Sequence, residues 1–426
     1  VVNKLSANTG WFDIIEISGV STPIQFRNNR LHSVTEYQNS GFGVRVSING
    51  KTGFSYTNDA SGLMEAADRA EATSKFGDIE DFELPYITNT DFEPYDPRIH
   101  GFDIAAEIDK AEDAMSAILR KFPEANIESR INGSHGKIRI INSNGVDQVY
   151  KSSRYATYLS AMLFLDDGSK IEIWEGASAL APASYNLLIE KITDKLYNAR
   201  INKKTAGGKI AVLASPKATA RMIGIVSAGL NAESVSKGIS PFAGKIDNPL
   251  FSDKLTISDE PDLKNSPYSY PFDAEGVAAR KKFLVKEGRI KNYITDLKYA
   301  RKLNLIPEGN GQRGYSTLPH PSFSNIVIDK GADPHTSLLR NIKRGILVDQ
   351  FIGLGQSNTL TGDFSAGLDL AYLIENGEIT GRVKDCMLTD NLFTLLADEI
   401  VVSSNREQIG SVLAPYLLFP LVNYTV

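Results

Sequence analysis

The 426-residue chain has one cysteine, Cys386, and cannot close an intrachain disulfide, so a reducing compartment is expected. Cys386 lies in Val383-Lys384-Asp385-Cys386-Met387-Leu388, which reads as a strand, and a buried structural thiol is expected rather than a nucleophile. Histidine is scarce too. His32, His100, His135, His320 and His335 are scattered, no pair has zinc-ligand spacing, and between His135 and His320 there is neither histidine nor cysteine. A metal site inside that interval would need carboxylates alone. No apolar run reaches about 18 residues, and Val1-Val2-Asn3-Lys4-Leu5 opens no core of signal-peptide length. A soluble, cytoplasmic protein without membrane contact is therefore expected. Excess positive charge is also missing: the net charge is -5, and Arg280-Lys281-Lys282 is too short a cluster to hold a phosphate backbone, which argues against a direct nucleic-acid partner.

What remains is ordinary globular material, 42% apolar and 23% charged, long enough for two or three domains. From residue 11 to residue 56 the alternation predicts successive strands, with Asn49-Gly50 as a type I′ hairpin turn. Helices are expected near 59–75 and 102–121, joined by a wandering connection over 77–101. The arrangement then recurs. Strands near 126–133, 137–142, 146–151, 154–165 and 169–175, with turns at Asn144-Gly145 and Asp167-Gly168, precede a helix near 183–196. After a strand at 209–213 comes a helix, and then mostly short strands from residue 271 onward, with turns at Glu287-Gly288 and Asn376-Gly377 and helices near 334–343 and 390–398. The predicted class is α+β. An N-terminal domain of antiparallel sheet plus helices with a pseudo-repeat spans 1–203, and a predominantly antiparallel, barrel-like β domain spans 204–426.

Several motifs have an ordinary reading beside a chemical one. Gly309-Asn310-Gly311-Gln312-Arg313-Gly314 spells a dinucleotide fingerprint, yet Pro319-His320-Pro321 follows where a helix N-terminus is required. An amide-exposing loop or a plain turn fits better. Asp273 and Glu275 would share a face in an extended segment, as paired carboxylates do in glycoside hydrolysis, but the flanking Pro and Gly favour a turn whose carboxylates accept backbone hydrogen bonds. Gly362-Asp363-Phe364-Ser365-Ala366-Gly367 hints at a nucleophile elbow, with Asp363 where the first glycine belongs.

The most informative stretch is Ala220-Arg221-Met222-Ile223-Gly224-Ile225-Val226-Ser227-Ala228-Gly229-Leu230. Its helical periodicity and small residues predict a helix packed on both sides and buried. Between Met222 and Leu230 no side chain can ligate a metal, carry a proton at neutral pH or act as an activated nucleophile.

Phe272-Asp273-Ala274-Glu275-Gly276-Val277, Val285-Lys286-Glu287-Gly288-Arg289-Ile290-Lys291-Asn292-Tyr293, Gly309-Asn310-Gly311-Gln312-Arg313 and Gly355-Gln356-Ser357-Asn358-Thr359-Leu360-Thr361-Gly362-Asp363-Phe364-Ser365 resemble the TldD/PmbA family. So do Arg27-Asn28-Asn29-Arg30-Leu31 and Ser40-Gly41-Phe42-Gly43-Val44-Arg45-Val46, so the resemblance runs through nearly the whole chain. It implies a two-subunit cytoplasmic peptidase acting on unfolded peptides, in a family also labelled modulator of DNA gyrase. In the family's catalytic subunit a helix carries HExxxH, whose histidines bind zinc with a C-terminal cysteine while the glutamate activates water. Those positions match Ile223, Gly224, Ala228 and Ile409 here, and all four roles are vacant. The resemblance thus implies a PmbA/TldE-like subunit with no cofactor of its own. Zinc would sit in a TldD-like, HExxxH-bearing partner, as a heterodimer, or the chain would pair with itself. Asn310, Arg313, Gly362, Asp363 and Ser365 are candidate peptide contacts, with peptide added as a strand. Two rival expectations are an autonomous hydrolase using Asp273, Glu275 or Ser365, and a homodimeric peptide-binding protein without catalysis.

Overall fold

A computed structural model describes residues 1–86, 92–165, 168–356 and 360–426, without the side chain of Gln356. Asp167 of one expected turn, part of the 77–101 connection and Ser357-Asn358-Thr359 of one family motif lie outside them.

Among these residues the strands form two main sheets. The first takes β1 (Trp11–Arg27), β2 (Arg30–Val34), β3 (Tyr37–Ile48), β4 (Lys51–Thr57), β5 (Asn126–Asn142), β6 (Asp147–Phe164) and β7 (Lys170–Ala179) in the order β4-β3-β1-β5-β6-β7, with β2 on β1. The two halves of the expected pseudo-repeat thus join in one sheet, β1 lying antiparallel to β5. Asn49 and Gly50, at φ 53° and 79°, make the left-handed pair that a type I′ turn needs.

The five strands expected over 126–175 are three long ones. Interruptions are expected between 133 and 137 and between 151 and 154, but β5 and β6 run through both, and in β5 the glycines serve close approach: a Cβ on Gly133 would meet the Phe102 ring at 2.4 Å, and one on Gly136 would meet the Ser18 carbonyl at 2.4 Å. Helices α2 (Leu63–Thr73), α3 (Ile104–Leu119) and α4 (Asn186–Ala199) follow the sheet halves, and α1 (Val2–Asn8) precedes them. Asp103 caps α3 by accepting from the Ala106 amide at 2.8 Å.

The second sheet begins with β8 (Asn202–Lys203) and β9 (Gly208–Ala214), and continues after α5 (Pro216–Gly229) and α6 (Ala232–Ser236). The further elements are β10 (Ile257–Asp259), β11 (Lys282–Lys286), β12 (Arg289–Ile290), α7 (Leu297–Leu303), β13 (Gly311–Gln312) and β14 (His320–Pro321), which pair as a separate two-stranded ribbon, β15 (Ile326–Ile328) and α8 (His335–Arg340). They end with β16 (Arg344–Ile352), β17 (Asp363–Glu375), β18 (Glu378–Val383), β19 (Met387–Asn391), α9 (Leu392–Ala397), β20 (Val401–Ile409) and β21 (Val412–Thr425). Pairings β9·β16, β16·β17, β17·β19, β19·β21 and β21·β9 close a ring of five strands, the expected barrel. The ring mixes directions, since β9 runs parallel to β16. Cys386 is buried as expected, though it lies between β18 and β19 rather than within a strand. No helix among the described residues is long and apolar enough to cross a membrane.

Candidate functional site

Helix α5 starts at Ser215, whose hydroxyl accepts from the Ala218 amide at 3.3 Å, with Pro216 in the first turn. Met222, Ile223 and Val226 are buried in the core of the barrel half, Ile223 and Val226 at 0% exposure. The opposite face is not packed. Arg221, Gly224 and Ala228 form an exposed stripe at spacings of three and four, which corrects the expectation of a helix buried on both sides. A Cβ on Gly224 would meet nothing within 4 Å, so the small residues line open space here instead of admitting a close neighbour.

That space is a cavity of about 550 Å³ between α5, β7 and β16. Trp174 comes from β7, Asp349, Gln350 and Phe351 from β16, and Gly353-Leu354-Gly355 from the segment that follows. Beside it lie two lysines and two carboxylates. Lys217 Nζ donates to Glu175 Oε1 at 2.9 Å, to Asp349 Oδ2 at 3.2 Å and to the Trp174 carbonyl at 2.5 Å, and stands 4.1 Å from the Trp174 ring centroid. Lys195 Nζ donates to Glu175 Oε1 at 2.6 Å and to both Asp349 oxygens at 2.8 Å. Burial opposes the charge on Asp349, but the two ammonium groups outweigh it and hold the carboxyl well below the usual carboxylate range. The four charges cancel and their polar atoms are mutually engaged, so the cluster is a rigid floor.

The positions matched to the zinc motif divide. Gly224 and Ala228 line the cavity, Ile223 faces the core, and Ile409, the last residue of β20, lines a neighbouring depression that also borders on Trp174, Glu175 and Lys217. None of the four side chains offers a metal donor. Among the described residues no group of three or more His, Cys, Asp and Glu side chains is placed to hold a metal ion, and the residues at this site do not fit zinc.

Asp273 and Glu275 are 2% and 0% exposed, and their oxygens are spent internally. Asp273 accepts from the amides of Glu275, Val277 and Gly311 at 2.9, 3.0 and 2.7 Å, and Glu275 accepts from the Leu297 amide at 2.8 Å and pairs with Arg45 at 2.9 Å. This is the turn with backbone-bonded carboxylates that the flanking residues predict. Asn310 and Arg313 are likewise buried. Asn310 donates to Asp259 Oδ2 at 2.8 Å and Arg313 to Asp13 Oδ1 at 2.7 Å, so the structure brings neither to a surface.

Gly362 is buried against the Phe393 ring, whereas Asp363 and Ser365 are exposed at the start of β17, in a groove of about 920 Å³ that shares Gly353 with the α5 cavity. Asp363 accepts from Thr361 and Asn391 at 2.7 and 2.9 Å, and Ser365 has the Thr389 hydroxyl at 3.3 Å, with no histidine among the described residues that line the groove. Two of the scattered histidines do meet: His100, in the helical turn over Pro97–Gly101, sets its ring edge to face with that of His135 on β5, the centroids 4.7 Å apart.

Sequence reasoning missed Lys195, Lys217, Glu175, Asp349 and Trp174. Two signals were present. Lys217 puts a cation in the first turn of a helix, against the dipole, and Asp349 is the lone charge in Gly345-Ile346-Leu347-Val348-Asp349-Gln350-Phe351.

The sequence matches the profiles of PmbA/TldA metallopeptidase domain 1 over residues 12–74, the central domain over 97–196 and the C-terminal domain over 207–425. It is 25% identical to a metalloprotease PmbA homolog of Haemophilus influenzae, covering 94% of this chain and 89% of that one. It is also 25% identical to a metalloprotease of Methanothermobacter thermautotrophicus, over 90% and 86% of the two chains. Among solved structures, TldE from Thermococcus kodakarensis superposes with a TM-score of 0.91 at 20% identity, covering 100% of this chain and 99% of that one. A candidate modulator of a DNA gyrase from Thermotoga maritima does so at 0.91 and 22%, covering 100% and 98%. With profile matches through most of its length, the chain belongs to the PmbA/TldD metallopeptidase family.

Proposed function

We propose that this chain is a PmbA/TldE-like subunit that binds unfolded peptide in the cytoplasm and leaves hydrolysis to a zinc-bearing, HExxxH-containing partner. The carrying observation is the open face of α5. A cavity sized for one or two amino-acid side chains is bordered by Gly224 and Ala228, which can neither ligate a metal nor activate water.

The beginning of β17 supports peptide binding by strand addition. Residues 363–366 pair with β19, while pairing with β16 begins only at Gly367 opposite Ile352, so one edge of this stretch has no strand beside it among the described residues. An extended peptide can use that edge through main-chain hydrogen bonds, which confer affinity with little sequence preference. The exposed Ile352 and Met387 line the same groove.

The test combines purified chain with the HExxxH-bearing protein of the same genome and measures cleavage of an unfolded peptide. Cleavage is expected only from the mixture and is lost on chelation. Cleavage by this chain alone, with stoichiometric zinc, would reject the reading.

A further inference from the structure

We infer that Arg221 is the anchor for a carboxylate of the bound peptide, its free C-terminus, held at the mouth of the α5 cavity. This rests on the reading that the chain binds peptide. The charges of the site lead to it. Both lysines beside the cavity are neutralised, since Lys195 and Lys217 share Glu175 and Asp349 at 2.6 to 3.2 Å. Arg221, one turn beyond Lys217 on the same helix, is exposed, lines the cavity, and has no ion pair or hydrogen bond to its side chain among the described residues. Asp369 also lines the cavity, but it accepts from the Gln350 amide at 3.1 Å and forms no ion pair with Arg221. The guanidinium is therefore available to an incoming ligand, and its planar donor fork suits a carboxylate held by two parallel hydrogen bonds.

The rest of the cavity fits a chain terminus. Gly224 and Ala228 keep the helix face low beyond Arg221, and Trp174, Ile225 and Phe351 offer apolar surface for the last side chain. A neutral amide at the same place would lose the charge-assisted bonds and keep the apolar contact, so the site separates free-acid from amidated peptides.

The experiment uses the assembly of this chain with its HExxxH-bearing partner, the partner's motif glutamate replaced so that peptide is bound and not cut. Fluorescence anisotropy compares one labelled unfolded peptide carrying a free C-terminal carboxylate with its C-terminal amide. The free acid is expected to bind about tenfold more tightly, equivalent to about 1.4 kcal/mol, and Arg221→Gln should abolish that difference while leaving the amide's affinity unchanged. Arg221→Lys should restore part of it. Equal binding of acid and amide by the unaltered assembly, or equal weakening of both by Arg221→Gln, overturns the role of Arg221 and leaves peptide binding standing. Binding of neither peptide overturns the peptide-binding reading and this inference with it.

Discussion

At the scale of single residues, the buried carboxyls of the turn at Asp273 govern how stability responds to pH. Burial, reinforced by Glu275, pushes Asp273 up to about 8, against three backbone amides that favour its ionised form. Asp296, which caps α7, is pushed up to about 7 by burial and by Glu275. Unfolded, each would titrate near 3.9. Between those limits the native state holds protons that the unfolded chain has released, so stability falls as pH rises from about 4 towards 8 and levels off above. His135, pushed down by burial and by His100, acts in the opposite sense, but only below its ordinary value of about 6.5. Urea unfolding at pH 6.5 and pH 8.5 should therefore show lower stability at the higher pH; an equal or greater value there would mean that Asp273 and Asp296 are ionised throughout.

At the scale of elements, α5 carries two glycines with opposite roles. Gly224 faces open space, so an added methyl meets nothing, and Gly224→Ala should stabilise the protein by about 0.5–1 kcal/mol through the helix-interior preference for Ala. Gly229 is buried, and a Cβ there would meet the Phe242 ring at 2.6 Å, so Gly229→Ala should destabilise by about 1–3 kcal/mol. Thermal unfolding of the two variants separates the cases, and a loss at Gly224 would show that the cavity face is covered. The sequence alone made α5 legible as a helix, because Met222, Ile223 and Val226 recur with its period, but not its open face, since small residues read equally as tight packing. Local turn chemistry was equally legible: Asn376 and Gly377, at φ 52° and 82°, form the hairpin turn that their spelling predicts. The length of β5 was not, because a glycine that admits a neighbouring ring and a glycine that turns the chain are spelled alike, nor was that of β6, which runs unbroken through Ser152-Ser153. The Lys195–Glu175–Asp349–Lys217 cluster was hidden for another reason, as it joins residues 154 positions apart.

At the scale of the whole molecule, the same long reach welds the first sheet to the barrel half. Gly41 and Gly43 of β3 leave room for Tyr315: a Cβ on Gly41 would meet its ring at 2.4 Å, and one on Gly43 its carbonyl at 2.4 Å. The glycine-bearing motif over 40–46 thus packs against the residue that follows the one over 309–314. Beneath it Asp13 is clasped from both sides, by Arg45 at 2.5 Å and by Arg313 at 2.7 Å, and Arg45 continues to Glu275. All four side chains are at most 2% exposed. Arg313→Met removes one cation and leaves Asp13 and Glu275 to share Arg45, an uncompensated buried charge that should cost about 3–5 kcal/mol. The loss falls on the joint between the halves, so it should also uncouple them. Both tryptophans, Trp11 and Trp174, belong to the first sheet, whereas far-ultraviolet circular dichroism reports on the entire chain. In the unaltered protein the two signals should melt together, and in Arg313→Met the tryptophan signal should move first. Coincident transitions in the variant, with a loss below about 1 kcal/mol, would show that the ionic clasp is dispensable and that the remaining contacts, among them the apolar packing of Tyr150, Tyr270 and Phe272, hold the halves together without it.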